Sequence, residues 1–332
     1  MNFIESFVNQ PPSAIFHDAV LKHHETEEIV EARRCTVQMP NGFLYLDVLA
    51  SPATELLGHD VPEPAAADRD GLLQTLSRLH TDYECLAVCE TIADALALAH
   101  DVGASVAANT KSVHLAATED DALKREGDIV IAIEIESLGR QGAWFASPSW
   151  RVHPSLIIAG NALAAGKDFG AVFIDRKLVP QVAPAATAGF SPPPDDTVAL
   201  VQSVVDAVET QHLLAGMPKL ASYFRKRLES VQVSCTDIAE MHFSGLGVRI
   251  RLNPEVSALK LKRKLCERGL LVGVDHRSRI VILPPLAIRP AEIDVISGVL
   301  RGALLGTVTV RAPVCCAACQ RQSVDSQLLH DS

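Results

Sequence analysis

The chain has 332 residues, 48% of them hydrophobic and 21% charged, with a formal net charge of −10. That is a globular composition with ample core material, and the length predicts two domains, or one large α/β domain with a smaller partner. The acidic balance, with no long basic run, argues against nucleic acid as a partner, and no window approaches about 18 uninterrupted apolar residues, which argues against a membrane span.

The first twelve residues carry Glu5 and no basic run ahead of an apolar stretch, so no signal peptide is expected. Eight cysteines, widely spread, fit reduced thiols in a cytoplasmic protein better than a disulfide framework. Residues 14–22 read as a helix. Residues 35–50 read as a hairpin whose turn is Pro40-Asn41-Gly42, followed by a strand from Phe43. The Pro/Ala-rich stretch 62–70 reads as a linker into a helix over 71–80.

Residues 83–99 read as a short strand and then a helix carrying Ile92, Leu96 and Ala99 on one face. The run from Asp128 through Ile135 is β-branched and nearly all apolar, as a buried parallel strand should be, and 169–174 reads as another such strand. Residues 187–196 form a loop with three prolines. Asp195 or Asp196 is placed to cap the next helix, where Val198, Val201, Val205 and Val208 recur at helical spacing.

Leu220, Phe224, Leu228 and Val231 make one amphipathic helix face, and 247–252 alternates apolar and basic residues like a half-exposed strand. A helix is expected over 257–268, short strands over 270–274 and 279–283, and a last helix from Pro290 with Ile293, Ile296, Leu300 and Leu304 inward. This C-terminal part reads as an α+β unit with an antiparallel sheet. The tail from Arg311 has no periodicity and reads as disordered. Its Cys315, Cys316 and Cys319 are incomplete as a structural zinc site, which wants four ligands, and a thiol-rich tail is the plainer reading.

Several segments share their order with one family. Gly42 to Asp47 with Leu57-Gly58-His59, the stretch Ser137-Leu-Gly139-Arg140-Gln-Gly142-Ala-Trp-Phe145-Ala146, and Leu283-Pro284-Pro285-Leu286 resemble motifs of the class III pyridoxal-phosphate aminotransferases. Pro154, Ala162, Leu163, Gly166 and Gly170-Ala171-Val172 fall in register with the family's lysine segment. The resemblance spans about residues 30–305 in pieces. It implies an α/β protein: a fold-type-I-like large domain with a mostly parallel sheet, here truncated, plus a small α+β domain built from both ends of the chain. The boundaries expected are 1–60 for the N-terminal part of the small domain, 61–212 for the large domain, 213–308 for the C-terminal small domain and 309–332 for the tail. The nearest subgroup resembles the ornithine, lysine ε- or GABA aminotransferases.

The resemblance breaks where the cofactor would sit. The family's Schiff-base lysine lands on Asn161, and a carboxamide nitrogen forms no imine with an aldehyde. Lys167, six residues on, is the one conceivable substitute, against its plainer reading as a solvated loop charge. The family's phosphate-cradling turn aligns with Ala87-Val88-Cys89-Glu90-Thr91, which lacks its glycine and serines. Cys85 and Cys89 read as core residues of a strand–helix junction. The pyridine partner aligns with Ala132, a ring-contacting glutamine with Ile135, and the substrate-carboxylate arginine with Val281. The span between Gly103 and Asp128 is too short for the family's intervening strands and holds no stacking aromatic. The loop that should supply a threonine to the phosphate from a second subunit reads Gly189-Phe-Ser-Pro-Pro-Pro.

Glu134 and Glu136 share a strand face and admit two readings: acid/base groups in the cleft, or the point where the strand leaves the core. The expectation is therefore a catalytically inactive relative that holds no cofactor and serves as a binding or regulatory protein, a homodimer or a heteromer with a related aminotransferase subunit. Two alternatives stand beside it. One is a pyridoxal-phosphate aminotransferase of ornithine, lysine or GABA with a rearranged site. The other is a different chemistry using Glu134 or Glu136.

Overall fold

The computed structural model describes residues 31–306, apart from 39–41, 50–55, 65, 108–110, 126, 184–185 and 187–188. The expectations for residues 14–22, for the first two turn residues at 40–41 and for the tail lie outside them.

Three short strands begin the described chain: β1 (Glu31–Arg33), β2 (Thr36–Gln38) and β3 (Leu44–Asp47), paired antiparallel in that order. The expected hairpin is the β2–β3 pair. Helix α1 (Arg69–Ser77) starts two residues earlier than its sequence suggests. Asp68, read as part of a linker, accepts a hydrogen bond from the Gly71 amide at 2.8 Å and so satisfies a free amide of the first turn.

The central layer is a five-stranded sheet in the order β4-β8-β7-β6-β5. Its strands are β4 (Tyr83–Cys89), β5 (Val113–Ala116), β6 (Ile129–Glu134), β7 (Leu156–Ala159) and β8 (Gly170–Asp175). The β5, β6 and β7 strands pair parallel, as the apolar run from Ile129 predicts. The β8 strand, expected to be parallel, is antiparallel to both β7 and β4. A strand buried on both faces is apolar throughout whichever way it runs, so its composition does not reveal its direction. Because β4 opposes β8, it points the same way as β5–β7, and all four carboxyl ends open on one edge.

Helix α2 (Ile92–Ala107) covers one face of the sheet. Its buried face is Ala95, Leu98, Ala99 and Val102; of the expected stripe Ile92, Leu96 and Ala99, Ala99 is buried and the other two are half buried. Among the described residues between α2 and β6 lie β5 and the short helix α3 (Glu119–Leu123), neither evident in the sequence. Helix α4 (Asp195–Thr210) buries Val198, Val201, Val205 and Val208 as expected. Its cap position is Pro194, with no side-chain cap; Asp195 and Asp196 lie inside the first turn, where their charge still complements the positive end of the helix dipole.

The C-terminal unit follows. Helix α5 (Leu213–Ser234) buries Phe224, Leu228 and Val231 together with Met217, while Leu220 is half buried against the core. Strands β9 (Ile238–Phe243) and β10 (Val248–Leu252) precede helix α6 (Ala258–Cys266), capped by Ser257. The stretch read as one strand over 270–274 divides between two sheets. Its first half, β11 (Leu270–Leu271), pairs parallel with β3, and its second half, β12 (Gly273–Val274), pairs with β13 (Ile280–Ile282). The resulting sheet, β12-β13-β10-β9, is antiparallel. Helix α7 (Pro290–Leu305) closes the unit with Ile293, Ile296 and Leu300 inward. Thus the N-terminal strands and the C-terminal unit join through β3 and β11. Among the described residues no helix is long and apolar enough to cross a membrane.

Candidate functional site at the carboxyl edge of the central sheet

In open α/β sheets, ligands bind beyond the carboxyl ends of the strands. Here that edge gathers the end of β4 with the N-terminus of α2, the loop after β6 and the turn after β7. Most of the sequence-predicted positions therefore converge. Cys89 ends β4, Glu134 ends β6 with Ala132 and Ile135 beside it, and Asn161 follows β7. Tight packing fixes the junction. A methyl at Gly160 would overlap Ile92, and one at Gly170 would overlap Ala95 and the Thr91 carbonyl. Only glycine at both places lets the start of α2 lie against the β7–β8 connection.

Asn161 opens a short 3₁₀ turn and is 6% exposed. Its carboxamide oxygen accepts the Phe169 amide at 3.3 Å, and its backbone oxygen accepts the Gly166 amide at 2.9 Å. The side chain thus clamps the connection between β7 and β8, a role that a lysine does not fill. Lys167 is about half exposed and pairs with Asp196 at 2.6 Å, on the first turn of α4.

The start of α2 is occupied by the chain itself. The Thr91 hydroxyl accepts the Asp94 amide at 3.1 Å and donates to the Asp94 carboxylate at 2.8 Å, while the Glu90 amide goes to the Ser191 carbonyl at 3.0 Å. An aspartate in the first turn stabilises the helix dipole and, by the same charge, opposes a phosphate there. Val88 is half buried against the core, and Cys89 is fully buried with its thiol pushed up to about 11 by burial. Cys85 is buried as well, and burial raises its thiol further. Both cysteines are core residues. Ala132 lies fully buried between Ala116 and Ile157, Ile135 is buried, and neither offers a group to a heteroaromatic nitrogen. These residues do not fit pyridoxal phosphate: they provide no amine, no open anion-binding helix end and no acid in the pyridine-partner position.

The two glutamates part company. Glu134 is 1% exposed and accepts from the Ser147 amide at 2.5 Å and from the Ser137 hydroxyl. Burial, its largest influence, raises its carboxyl pKa, and the bonds from Ser137 and Ser147 oppose that. Glu136 turns to the C-terminal unit and pairs with Arg249 of β10. Arg249 also lies 3.9 Å from Asp275, which Arg279 holds at 2.7 Å. Arg249 stands directly across the ladder from Val281, the position aligned with the family's carboxylate-gripping arginine.

The raised carboxyl of Glu134 fixes the sign of a pH effect. The folded chain holds this proton more tightly than the unfolded chain does. The contribution is therefore full below the ordinary carboxylate range and lost as pH rises through the raised value. Chemical denaturation of Glu134→Gln, which lacks this titration, should show the variant gaining on the parent as pH rises through that window. A gap that stays constant with pH would mean that Glu134 is ionised in both states.

Sequence reasoning did not single out Ser147, Arg249, Asp275 or Arg279. Their only signal is ordinary polarity; Ser147 and Arg249 acquire their roles from partners on other segments, and Asp275 and Arg279 from each other four residues apart. Cys315, Cys316 and Cys319 lie outside the described residues. Among the described residues no group of three or more His, Cys, Asp or Glu side chains is arranged to hold a metal.

Residues 108–304 match the sequence profile of Aminotransferase class-III. The chain belongs to that family. Ornithine aminotransferase 1 of Staphylococcus aureus (strain MRSA252) is 31% identical over 171 residues, covering 50% of this class-III chain and 42% of the relative. Acetylornithine aminotransferase of Archaeoglobus fulgidus is 27% identical over 175 residues, covering 52% and 44%. The matched stretch thus spans under half the length of these relatives. Among solved structures, ornithine delta-aminotransferase of Plasmodium falciparum superposes with a TM-score of 0.71 at 15% identity, covering 90% of this chain and 99% of the other. Acetylornithine aminotransferase of Elizabethkingia anophelis gives 0.68 at 17%, covering 90% and 100%. At such identities the superpositions establish the class-III chain's fold, the α/β architecture of pyridoxal-phosphate aminotransferases.

Proposed function

We propose that this class-III chain performs no aldimine chemistry and acts as a binding or regulatory subunit, as a homodimer or in complex with a related aminotransferase. The observation that carries this reading is Asn161: at the lysine position stands a buried carboxamide engaged in closing the β7–β8 turn. The self-capped start of α2 and the apolar setting of Ala132 support it. Use of Glu134 or Glu136 as an acid or base is disfavoured, because each is committed to bonds that join segments of the fold.

The experiment is direct. Protein incubated with excess pyridoxal phosphate and then dialysed is expected to retain no stoichiometric cofactor and to show no band lost on borohydride treatment. Each missing charge-assisted phosphate contact removes about 1.5–3 kcal/mol of binding. One cofactor per subunit surviving dialysis would favour the other reading, an aminotransferase with a rearranged site acting on an amino donor such as ornithine, lysine or GABA.

The partner part of the reading rests on composition. A mean hydropathy of +0.18 with 21% charged residues is apolar for a monomer of this size. Light scattering on the chain expressed alone is expected to give a dimer, or aggregation relieved by co-expression with an intact aminotransferase. A monodisperse folded monomer at micromolar concentration would sink both forms.

A further inference from the structure

Two histidines close on a buried tyrosine at the amino edge of the central sheet, the edge opposite Asn161. Tyr83 opens β4 and is fully buried. The His80 ring meets it edge-on at 5.3 Å between centroids, and the His153 ring lies tilted at 5.3 Å. Their hydrogen bonds fix where the protons sit. The single phenol proton goes to the Pro154 carbonyl at 2.5 Å. The phenol oxygen therefore accepts from His153 Nε2 at 3.1 Å, and that nitrogen carries a hydrogen. At His80 the requirement is the reverse. Its Nδ1 accepts the Asp82 amide at 3.1 Å, so that nitrogen is bare and the ring is neutral.

Charged groups from several elements surround this turn. Burial, the largest influence on His80, lowers its pKa; Asp82 opposes that and His153 adds to it. Arg176, just after β8, donates to the Thr81 and Ser77 carbonyls at 2.9 and 3.1 Å, and its amide to the Asp82 carbonyl at 2.9 Å. The same guanidinium pairs with Glu84 of β4 at 2.8 Å. Asp175, at the end of β8, lies 3.6 Å from His153 Nε2. Glu134, at the end of β6, is within electrostatic reach of Tyr83. A proton on His80 thus enters a turn that already holds one permanent cation.

We infer that the turn between α1 and β4 is a pH-gated latch, closed on Tyr83 while the His80 imidazole is neutral and released when that ring takes up a proton. A hydrogen at Nδ1 would point at the Asp82 N–H. The imidazolium therefore gives up that amide and turns to solvent, uncovering the edge of Tyr83. The folded chain holds the proton on His80 less tightly than the unfolded chain does. The contribution of the closed latch is full above the ordinary histidine value and is lost as pH falls from there to the lowered one. The inference is independent of whether the chain binds pyridoxal phosphate.

Hydrogen exchange read by mass spectrometry at about pH 8 and about pH 5, corrected for the intrinsic pH dependence of exchange, tests it. In the parent, exchange across the turn from Arg78 to Glu84 is expected to be about fivefold faster at the acid pH, the worth of one hydrogen bond. His80→Gln supplies a carboxamide oxygen that accepts the Asp82 amide without titrating, so its turn should be equally protected at both pH values. His100→Gln, which changes an exposed histidine of α2, should respond like the parent. A parent turn protected equally at both pH values, or an acid response that persists in His80→Gln, overturns the inference. Should His80→Gln fail to fold, nuclear magnetic resonance of the parent decides. A His80 ring that titrates below about 6.5, with the Asp82 amide shift following it, upholds the latch. A ring that titrates at or above that value, or an Asp82 amide that does not follow, refutes it.

Discussion

Replacing Asn161 with lysine is expected to yield a less stable protein that still does not transaminate. The substitution removes the acceptor of the Phe169 amide, leaving a buried donor unsatisfied, and forces an amine into a position 6% exposed. Together these effects cost about 2–4 kcal/mol. The restored amine finds no partner for a phosphate at the self-capped start of α2 and none for a pyridine nitrogen at Ala132. Electrostatic preorganisation is usually the larger share of a rate enhancement, so the nucleophile alone does not recover activity. Denaturant titration and turnover of ornithine, lysine or GABA with 2-oxoglutarate check both halves. Measurable turnover would show that Asn161 was the only lesion, and unchanged stability would show that the carboxamide is no clamp.

Alanine at Gly245 should be more damaging than any Gly→Ala change on the surface. Gly245 has φ +54°, and an added methyl would fall inside the contact shell of the Arg140 carbonyl. The left-handed conformation costs a non-glycine residue about 1–2 kcal/mol. Relieving the overlap must also disturb the Leu246–Arg140 backbone bond, a further loss of about 1 kcal/mol. The sum is about 2–3 kcal/mol. Gly298, on the exposed side of α7, provides the control. A methyl there meets nothing within 4 Å, so alanine should stabilise by about 0.5–1 kcal/mol through helix propensity. The same chemical change is thus expected to have opposite signs at the two positions. Equal effects in parallel denaturation curves would refute the packing argument at Gly245.

Much of the fold was legible because it is written locally. The apolar run from Ile129 marked β6, the valines at helical spacing marked the inner face of α4, and the alternation in Val248–Leu252 marked β10. What escaped depends on distant partners or on single side chains. The direction of β8 is set by pairing with β4 and β7, not by its composition. The four residues of β5 include a histidine and fall below any periodic signal. The onset of α1 turned on Asp68 alone. At the site, Asn161 was visible as a departure from a motif. Its task emerged only when Phe169 and the start of α2 were brought beside it. The pairing of Glu136 with Arg249 joins residues 113 positions apart, which no local pattern encodes.

The short β5 strand has one more consequence. It is the last strand in the order of the central sheet, so among the described residues its outer backbone groups have no neighbouring strand, and Leu115 on it is 42% exposed. A bare ladder beside an apolar side chain is a template on which another chain can add a strand. Shortness and charge restrain it: four residues give few rungs, and His114 pairs with Asp128 at 3.0 Å alongside the acidic start of α3. This rim of the sheet is accordingly where crowded or partly unfolded copies would begin to stick together, and where solubility would respond first to a change of charge.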